Sequence, residues 1–403
     1  MESLTFYLLL LTAIIAGWLL GRLSSSKYTH TKASNSDLFQ DYFVGLNYLL
    51  NDEPDEAIDS FIKALEINSK TIETHLALGA LLRRRGKVNK AINVHQALLA
   101  RPNLERDSSN SVRLQLALNY IAAGLLDRAE RLLKEILEDG GEAKWDALRQ
   151  LITVYQTEKD WENAIACSSA LLKNAGFRKD PTLLGGAAHY CCEIAQLHLQ
   201  NNRDPQARSE IKRAFTFERN SIRAMLLLAD LEQRQGNYTA AIKDLLRVRK
   251  VKPQFIAQLL EPLASCHESL GTRADFEKLL RKMVLEDSST EAALMLVKIT
   301  NASSENVEAV SLLREHLEHL PSSGALIELL ELLLDGVDVN VASSLELLLN
   351  LVKAQAHVSS EYRCHHCGFE TKNFFWMCPS CKRWDKISPI NDLLARQATS
   401  VFK

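Results

Sequence analysis

Residues 42–69, YFVGLNYLLNDEPDEAIDSFIKALEINS, decide how the rest of the chain is read. Apolar residues recur there at three- and four-residue spacing on both sides of a break at Asn51–Pro54, the pattern of two amphipathic helices joined by a turn. Gly45, Ala57 and Ala64 are small where two helices must approach closely. The pattern returns at a fixed distance. Gly79 follows Gly45 by 34 residues, Ala91 follows Ala57 by 34, and His95 follows Phe61 by 34.

That period marks the tetratricopeptide repeat, one antiparallel helix pair per unit. SVRLQLALNYIAAGLLDRAERLLKEIL repeats it with Ala117, Tyr120, Gly124 and Ala129. Tyr155 with Ala164 does so again, then Ala195, Ala207 and Ala214, then Ala229, Gly236 and Ala241. Successive mid-unit alanines stand 34, 38, 35, 43 and 34 residues apart, so short insertions fall between units. One insertion, Lys173 to Gly186, reads as a loop-like stretch around a Gly-Gly pair, and a unit around Gly271 is weaker. Beyond residue 285 the helices lose the signature and read as degenerate units capping the array.

Composition agrees. Only 16 Gly and 9 Pro in 403 residues argue against an all-β fold, and 48 basic against 50 acidic residues exclude a general affinity for nucleic acid. The expected fold is all-α, a tetratricopeptide superhelical solenoid over residues 37–358. Such an array buries one face of each unit and presents the other to a peptide or partner helix. By resemblance to other tetratricopeptide proteins, the partner-facing positions would be Tyr42, Leu46, Leu49, Arg83, Arg84, Arg149, Gln156, Arg223, Asp230 and Arg234. The run RRRGKVNK, Arg83 to Lys90, reads as a basic inter-helix turn; contact with anionic lipid or an acidic partner is the competing reading.

Ahead of the array, Leu4–Gly21 (LTFYLLLLTAIIAGWLLG) is an uncharged 18-residue run. As a helix it reaches about 27 Å, enough to cross a bilayer core. Only Met1, Glu2 and Ser3 precede it, too little for a cleaved signal peptide, while Arg22, Lys27 and Lys32 follow. Basic flanks stay cytoplasmic, so residues 1–23 read as an uncleaved anchor with the N-terminus outside and residues 24–36 as a polar tether. Ala13, Ala16 and Gly17 offer a small-residue face to another membrane helix, so a homo-oligomer is among the expected assemblies.

Near the other end, Cys364, Cys367, Cys378 and Cys381 stand as C-x2-C-x10-C-x2-C. Two such knuckles present four thiolates tetrahedrally to one metal ion, iron or zinc, within a small ribbon over residues 359–390. A rubredoxin would carry glycine after both knuckles. Here Gly368 fills one place and Lys382 the other, which favours a structural ion over an electron carrier. His365 and His366 read as exposed. The aromatics around Trp376 and Trp384 exceed what so small a ribbon can bury, so some should pack on the last repeats or a partner. Residues 391–403 read as a tail. Cys167, Cys191, Cys192 and Cys266 read as small buried residues of a reducing compartment, and the pair His316 and His319 as surface residues. No P-loop, nucleophile elbow, zinc-protease or dinucleotide motif is present, so the chain does not read as an enzyme.

The order of anchor, repeats and ribbon, carried by YLLLLTAIIAGWLLGR, DYFVGLNYLLNDEPDEAIDSFIKALE and YRCHHCGFETKNFFWMCPSCKRWDKI, resembles the lipopolysaccharide assembly protein B family of Gram-negative bacteria. The resemblance implies an inner-membrane adaptor with a cytoplasmic body. It would bring the deacetylase that commits lipid A synthesis to a membrane-anchored AAA+ metalloprotease, and help organise lipopolysaccharide transport proteins. Two other readings stand beside it: a redox- or metal-sensing membrane protein, and a nucleic-acid-binding ribbon on a helical scaffold.

Overall fold

The computed structural model describes residues 72–101, 104–301, 306–334, 339–358 and 362–390, together with Val44 and Tyr48. The expected anchor, tether and tail lie outside the described residues, as does nearly all of the first repeat. Among the described residues, no helix is long and apolar enough to cross a membrane. The chain divides between Lys159 and Asp160 into two units.

The first unit holds α1 (Ile72–Arg84), α2 (Val88–Leu99), α3 (Arg106–Ala122), α4 (Leu126–Asp139) and α5 (Ala143–Glu158). In the second, α6 (Trp161–Leu172) is followed by α7 (Pro181–Gln200) and α8 (Asp204–Phe217), then α9 (Ile222–Arg234) and α10 (Tyr238–Val251). A 3-10 turn at Pro253–Phe255 leads to α11 (Ile256–Ser269) and α12 (Arg273–Asp287). The pairs α13 (Thr290–Asn301) with α14 (Asn306–His319), and α15 (Ser323–Leu334) with α16 (Val339–Val358), complete the helices. The segments with poor signatures therefore form helix pairs like the rest.

Five second helices, α2, α4, α6, α8 and α10, carry alanine as their fourth residue for a packing reason. Ala91, Ala129, Ala164, Ala207 and Ala241 are all fully buried, the residues the 34-residue register picked out. Gly79 shows how tight the crossing is: a Cβ there would sit 2.2 Å from Nε2 of His95. His95 thus occupies the space that the missing side chain leaves. The turns close in the left-handed region, supplied by glycine at Gly86, Gly124, Gly236 and Gly271. Where glycine is absent, Lys159 (φ 61°) and Asn202 (φ 54°) take the same conformation.

The stretch expected as a loop up to Gly186 ends sooner. Asp180 caps α7 by accepting hydrogen bonds from the backbone N–H of Thr182 (2.9 Å) and Leu183 (3.3 Å), and Pro181 occupies the first turn. Gly185 and Gly186 therefore lie inside a 20-residue helix. The cap, together with the burial of Ala187, Ala188, Tyr190, Cys191 and Cys192 along the same helix, outweighs the cost of two glycines, roughly 1 kcal/mol each.

The second unit ends in a three-stranded antiparallel sheet, order β2-β1-β3, from β1 (Tyr362–Cys364), β2 (Glu370–Thr371) and β3 (Ile387–Pro389). Arg363 faces Glu370 on one side and Ser388 on the other. Its own core is Cys364, Cys378 and Ile387.

Candidate metal centre

Two knuckles with the same backbone build the site. In the first, the N–H of Cys364 donates to the carbonyl of Phe369 (2.8 Å) and that of Gly368 returns to Cys364 (2.9 Å). In the second, Cys378 donates to Arg383 and Lys382 to Cys378, both at 2.9 Å. Gly368 (φ 75°) and Lys382 (φ 57°) are both left-handed, so the lysine adopts the conformation that glycine would take more easily.

The four sulfurs lie within 4.8 Å of one another. Cys364 Sγ stands 3.8 Å from Cys381 Sγ, and Cys367 Sγ 3.7 Å from Cys378 Sγ. A tetrahedral ion with metal–sulfur bonds of about 2.3 Å needs sulfur–sulfur edges of about 3.8 Å, so the residues present fit a metal ion. The backbone N–H of Phe369 pulls the Cys367 thiol down to about 6, and its three neighbouring thiols add to that. Desolvation, with the same neighbours, pushes Cys381 up to about 12. The opposite directions describe one quartet sharing its protons unequally, and a bound cation removes the reason to keep any. His365 and His366 are exposed, outside the sulfur cluster, as expected.

The ribbon's aromatics pack on the middle of the second unit rather than on its last repeats. Trp384 stacks on His189 of α7 (ring centroids 4.6 Å apart, 12° between planes) and meets Trp161 and Tyr190 edge-on at 6.4 and 6.0 Å. Trp376 stacks on Phe255 at 5.6 Å, and Phe374 meets the same ring edge-on at 5.5 Å. Phe374 and Trp376 thereby join the apolar core built around Met225, Leu245 and Leu263. Nε2 of His189 lies 2.8 Å from Oδ2 of Asp385, a contact across 196 residues of sequence. Burial alone would raise the Asp385 carboxyl. The hydrogen bond and charge of His189, with Lys252 and Lys386, bring it below the usual carboxylate range. Glu218, close by, is raised by burial and by Asp385.

This packing determines where several expected partner-facing residues lie. Arg223 is 5% exposed; it donates to Glu193 and Gln196 (2.8 Å each) and lies 6.0 and 5.9 Å from the ring centroids of Trp376 and Trp384. All three side chains are thus engaged within the chain: Arg223, expected to face a partner, lies against the ribbon instead, and Trp376 and Trp384, expected on the last repeats or a partner, meet Phe255 and His189. A cation over two indoles, itself neutralised by a carboxylate, is stable under cover. Arg83 is half-buried and bonded to Asn119 (2.6 Å) and Gln115 (3.1 Å) of α3. Asp230 and Arg234 pair at 3.1 Å on α9, and Arg234 also reaches the carbonyl of Leu199. Arg84 and Arg149 are exposed and Gln156 half-buried. Tyr42, Leu46 and Leu49 lie outside the described residues.

Sequence reasoning missed the platform of Trp161, His189, Tyr190 and Phe255. The aromatic surplus signalled that the ribbon must dock, but no local pattern names its address. Of the remaining thiols, burial pushes Cys191 and Cys192 up to about 12, which makes them inert at neutral pH. His316, read as a surface residue, is buried and sits 3.1 Å from the hydroxyl of Thr290; His319 is exposed.

Residues 362–389 match the rubredoxin metal binding domain family. Lipopolysaccharide assembly protein B of Escherichia coli K12 is 31% identical over 388 residues, covering 96% of this chain and 98% of that protein. Its namesake in Haemophilus influenzae Rd is 32% identical over 395 residues, with the same coverage. A tetratricopeptide repeat protein from Parabacteroides merdae overlaps 71% of the chain and all of its own, at 17% identity and TM-score 0.32, too loose to argue from. The ribbon match covers one small domain, whereas the similarity to the two assembly proteins runs nearly from end to end, and on that similarity the chain belongs to the lipopolysaccharide assembly protein B family.

Proposed function

We propose that this chain serves lipopolysaccharide assembly as a membrane-anchored adaptor rather than as an enzyme. The observation that carries the reading is the identity of 31–32% over 96% of the chain with proteins of that name. In the finer form of the proposal, the helix pairs hold the deacetylase that commits lipid A synthesis. The anchor at Leu4–Gly21 keeps that client in the plane of a membrane-bound AAA+ metalloprotease, which degrades it. Confinement to one membrane raises the effective concentration of two partners without new contacts. Lipopolysaccharide transport proteins are further partners of the same inner-membrane scaffold. Exposed Arg84 and Arg149, with Tyr42, Leu46 and Leu49, are its proposed client contacts.

The ion, iron or zinc, has a structural role in this proposal. Once bound, it cross-links the two knuckles and offsets thiolate charge. Cys364, Cys367, Cys378 and Cys381 hold it, while Trp376 and Trp384 hold the ribbon to α7 and the turn at Pro253–Phe255. In cells, deletion of residues 1–22 and, separately, Cys378→Ser should each lengthen the half-life of the deacetylase. Unchanged turnover in both strains would refute the adaptor reading. Reversible reduction of ribbon-bound iron in the purified protein would instead favour a redox role.

A further inference from the structure

Charge is balanced over the whole chain but not around the docked ribbon. Residues 173–180 lead into α7, residues 218–221 join α8 to α9, and residues 250–255 join α10 to α11. The ribbon's second knuckle runs on into residues 382–386. Together the four segments hold nine Lys and Arg against three Asp and Glu, whereas the full chain holds 48 against 50.

Two carboxylates mark where these segments meet. Asp385 Oδ2 lies 2.8 Å from Nε2 of His189 on α7. Burial pushes the Asp385 carboxyl up, and His189, then Lys252 and Lys386, bring it below its ordinary value. Burial and Asp385 raise the Glu218 carboxyl, against the pull of His189 and Lys252. The start of α7 lies against Glu218 as well, since a Cβ on Gly185 would sit 3.6 Å from Glu218 Oε2.

The acidic groups of this seam are committed within the chain. Asp180 caps α7, Asp385 meets His189, and Glu218 is half-buried against Gly185. The cations are not. Arg178, Lys179, Arg219, Lys250 and Arg383 are exposed, and none of them is in an ion pair among the described residues. Exposed Lys386 adds to them. Elsewhere in the second unit the pattern differs: Arg213 pairs with Glu162 and Glu210, and Arg281 with Glu277 and Glu308. Unmatched like charges raise the local potential and attract an anionic partner. A membrane or a nucleic acid presents evenly spaced negative charge and would set some of it against Glu218 and Asp385. An extended acidic peptide can place its carboxylates on the cations and pass those two positions by.

We propose that the seam between helix pairs and ribbon binds an acidic protein segment, with its carboxylates on Arg178, Lys179, Arg219, Lys250, Arg383 and Lys386. The surface is complete only while the ribbon is docked, so the aromatic platform assembles it. The assignment stands apart from the adaptor reading and does not depend on which client that reading names.

The test is fluorescence anisotropy with the full chain in phosphatidylcholine nanodiscs and a labelled peptide of alternating Glu and Gly. Two variants divide the seam: Arg178→Gln/Lys179→Gln/Arg219→Gln/Lys250→Gln on the helix pairs, and Arg383→Gln/Lys386→Gln on the ribbon. Each should weaken binding at least about threefold, and the two combined at least about tenfold, as expected for several exposed charge pairs lost together. Lys278→Gln/Lys298→Gln, which removes exposed charge from α12 and α13, should leave the affinity unchanged. Retained metal and far-UV signal confirm an intact fold. No binding, equal binding of the Gln-Gly peptide, or a loss confined to one of the two seam variants would overturn the proposal. Tighter binding of oligo-dT or of phosphatidylglycerol nanodiscs, weakened by the same substitutions, would assign the face to another polyanion and overturn it as well.

Discussion

Helix pairs and ribbon hold themselves together by different means. The second unit buries Met225, Leu245, Leu259, Leu263, Leu280 and Met283 in one continuous core, with alanines at the tightest crossings. The ribbon buries Cys364, Cys378 and Ile387 and has strands of two or three residues. An array can lose one contact and keep its neighbours, because each pair rests on the next. A segment of about 30 residues cannot, and it takes its stability from outside: a metal at one end and a borrowed aromatic platform on the other side.

The strongest way to break this comparison is to remove the metal. A chelator, or Cys378→Ser, should abolish ribbon order while far-UV circular dichroism keeps most of its helical signal. Structural ions of this kind contribute roughly 10 kcal/mol or more. Parallel loss of helix would show that the array depends on the ribbon as well.

The platform comes next. Phe255 is buried and faces both Trp376 and Phe374, so Phe255→Ala should cost about 3–5 kcal/mol and release the ribbon without unfolding it. A red-shifted tryptophan emission with metal content unchanged is the expected readout. Docking should also weaken in acid. The Asp385 carboxyl is held below its usual value, so its contribution is complete above pH about 4 and disappears as pH falls through the lowered value.

A smaller effect belongs to the first unit. Burial, with a lesser contribution from Arg83, pushes His95 down to about 4, against the pull of the Leu76, His75 and Gln115 carbonyls, which accept from the protonated ring. The unfolded chain then binds the extra proton between pH 6.5 and 4, and stability falls as pH drops through that window. The slope is about 1.4 kcal/mol per pH unit, so denaturant unfolding at pH 5 should show roughly 2 kcal/mol less stability than at pH 7. His95→Phe, the residue found one repeat earlier at Phe61, should remove the dependence.

The smallest concerns a turn. Lys159 ends α5 at φ 61° and ψ 26°, where a Cβ is unfavourable. Lys159→Gly should therefore raise the melting temperature slightly, by about 1 kcal/mol of stability. A neutral result would mean that the gain in the folded state is cancelled by the freer unfolded chain.

Much of the fold was legible in sequence because it rests on local requirements repeated at one period. Ala91, Ala129, Ala164, Ala207 and Ala241 are small for one reason, five times over. Gly185 and Gly186 misled because loop composition was weighed without the Asp180–Pro181 cap beside it. His316 misled because its partner, Thr290, lies on another helix 26 residues away. The cysteine quartet was legible for the same reason as the alanines: each C-x2-C knuckle is a single tight turn, complete within a few residues.

Helix pairing, turn positions and metal ligands follow from neighbours in sequence, where spacing translates directly into geometry. The ribbon's address does not. Asp385 and His189, Trp376 and Phe255, Arg223 and the two indoles meet only once the helices have stacked and brought distant side chains to one surface. Local chemistry required that the ribbon's aromatics be covered. Tertiary packing decided that the chain's own α7, α9 and the turn at Pro253–Phe255 would cover them, because stacking and a paired charge under cover depend on distances that no sequence spacing encodes.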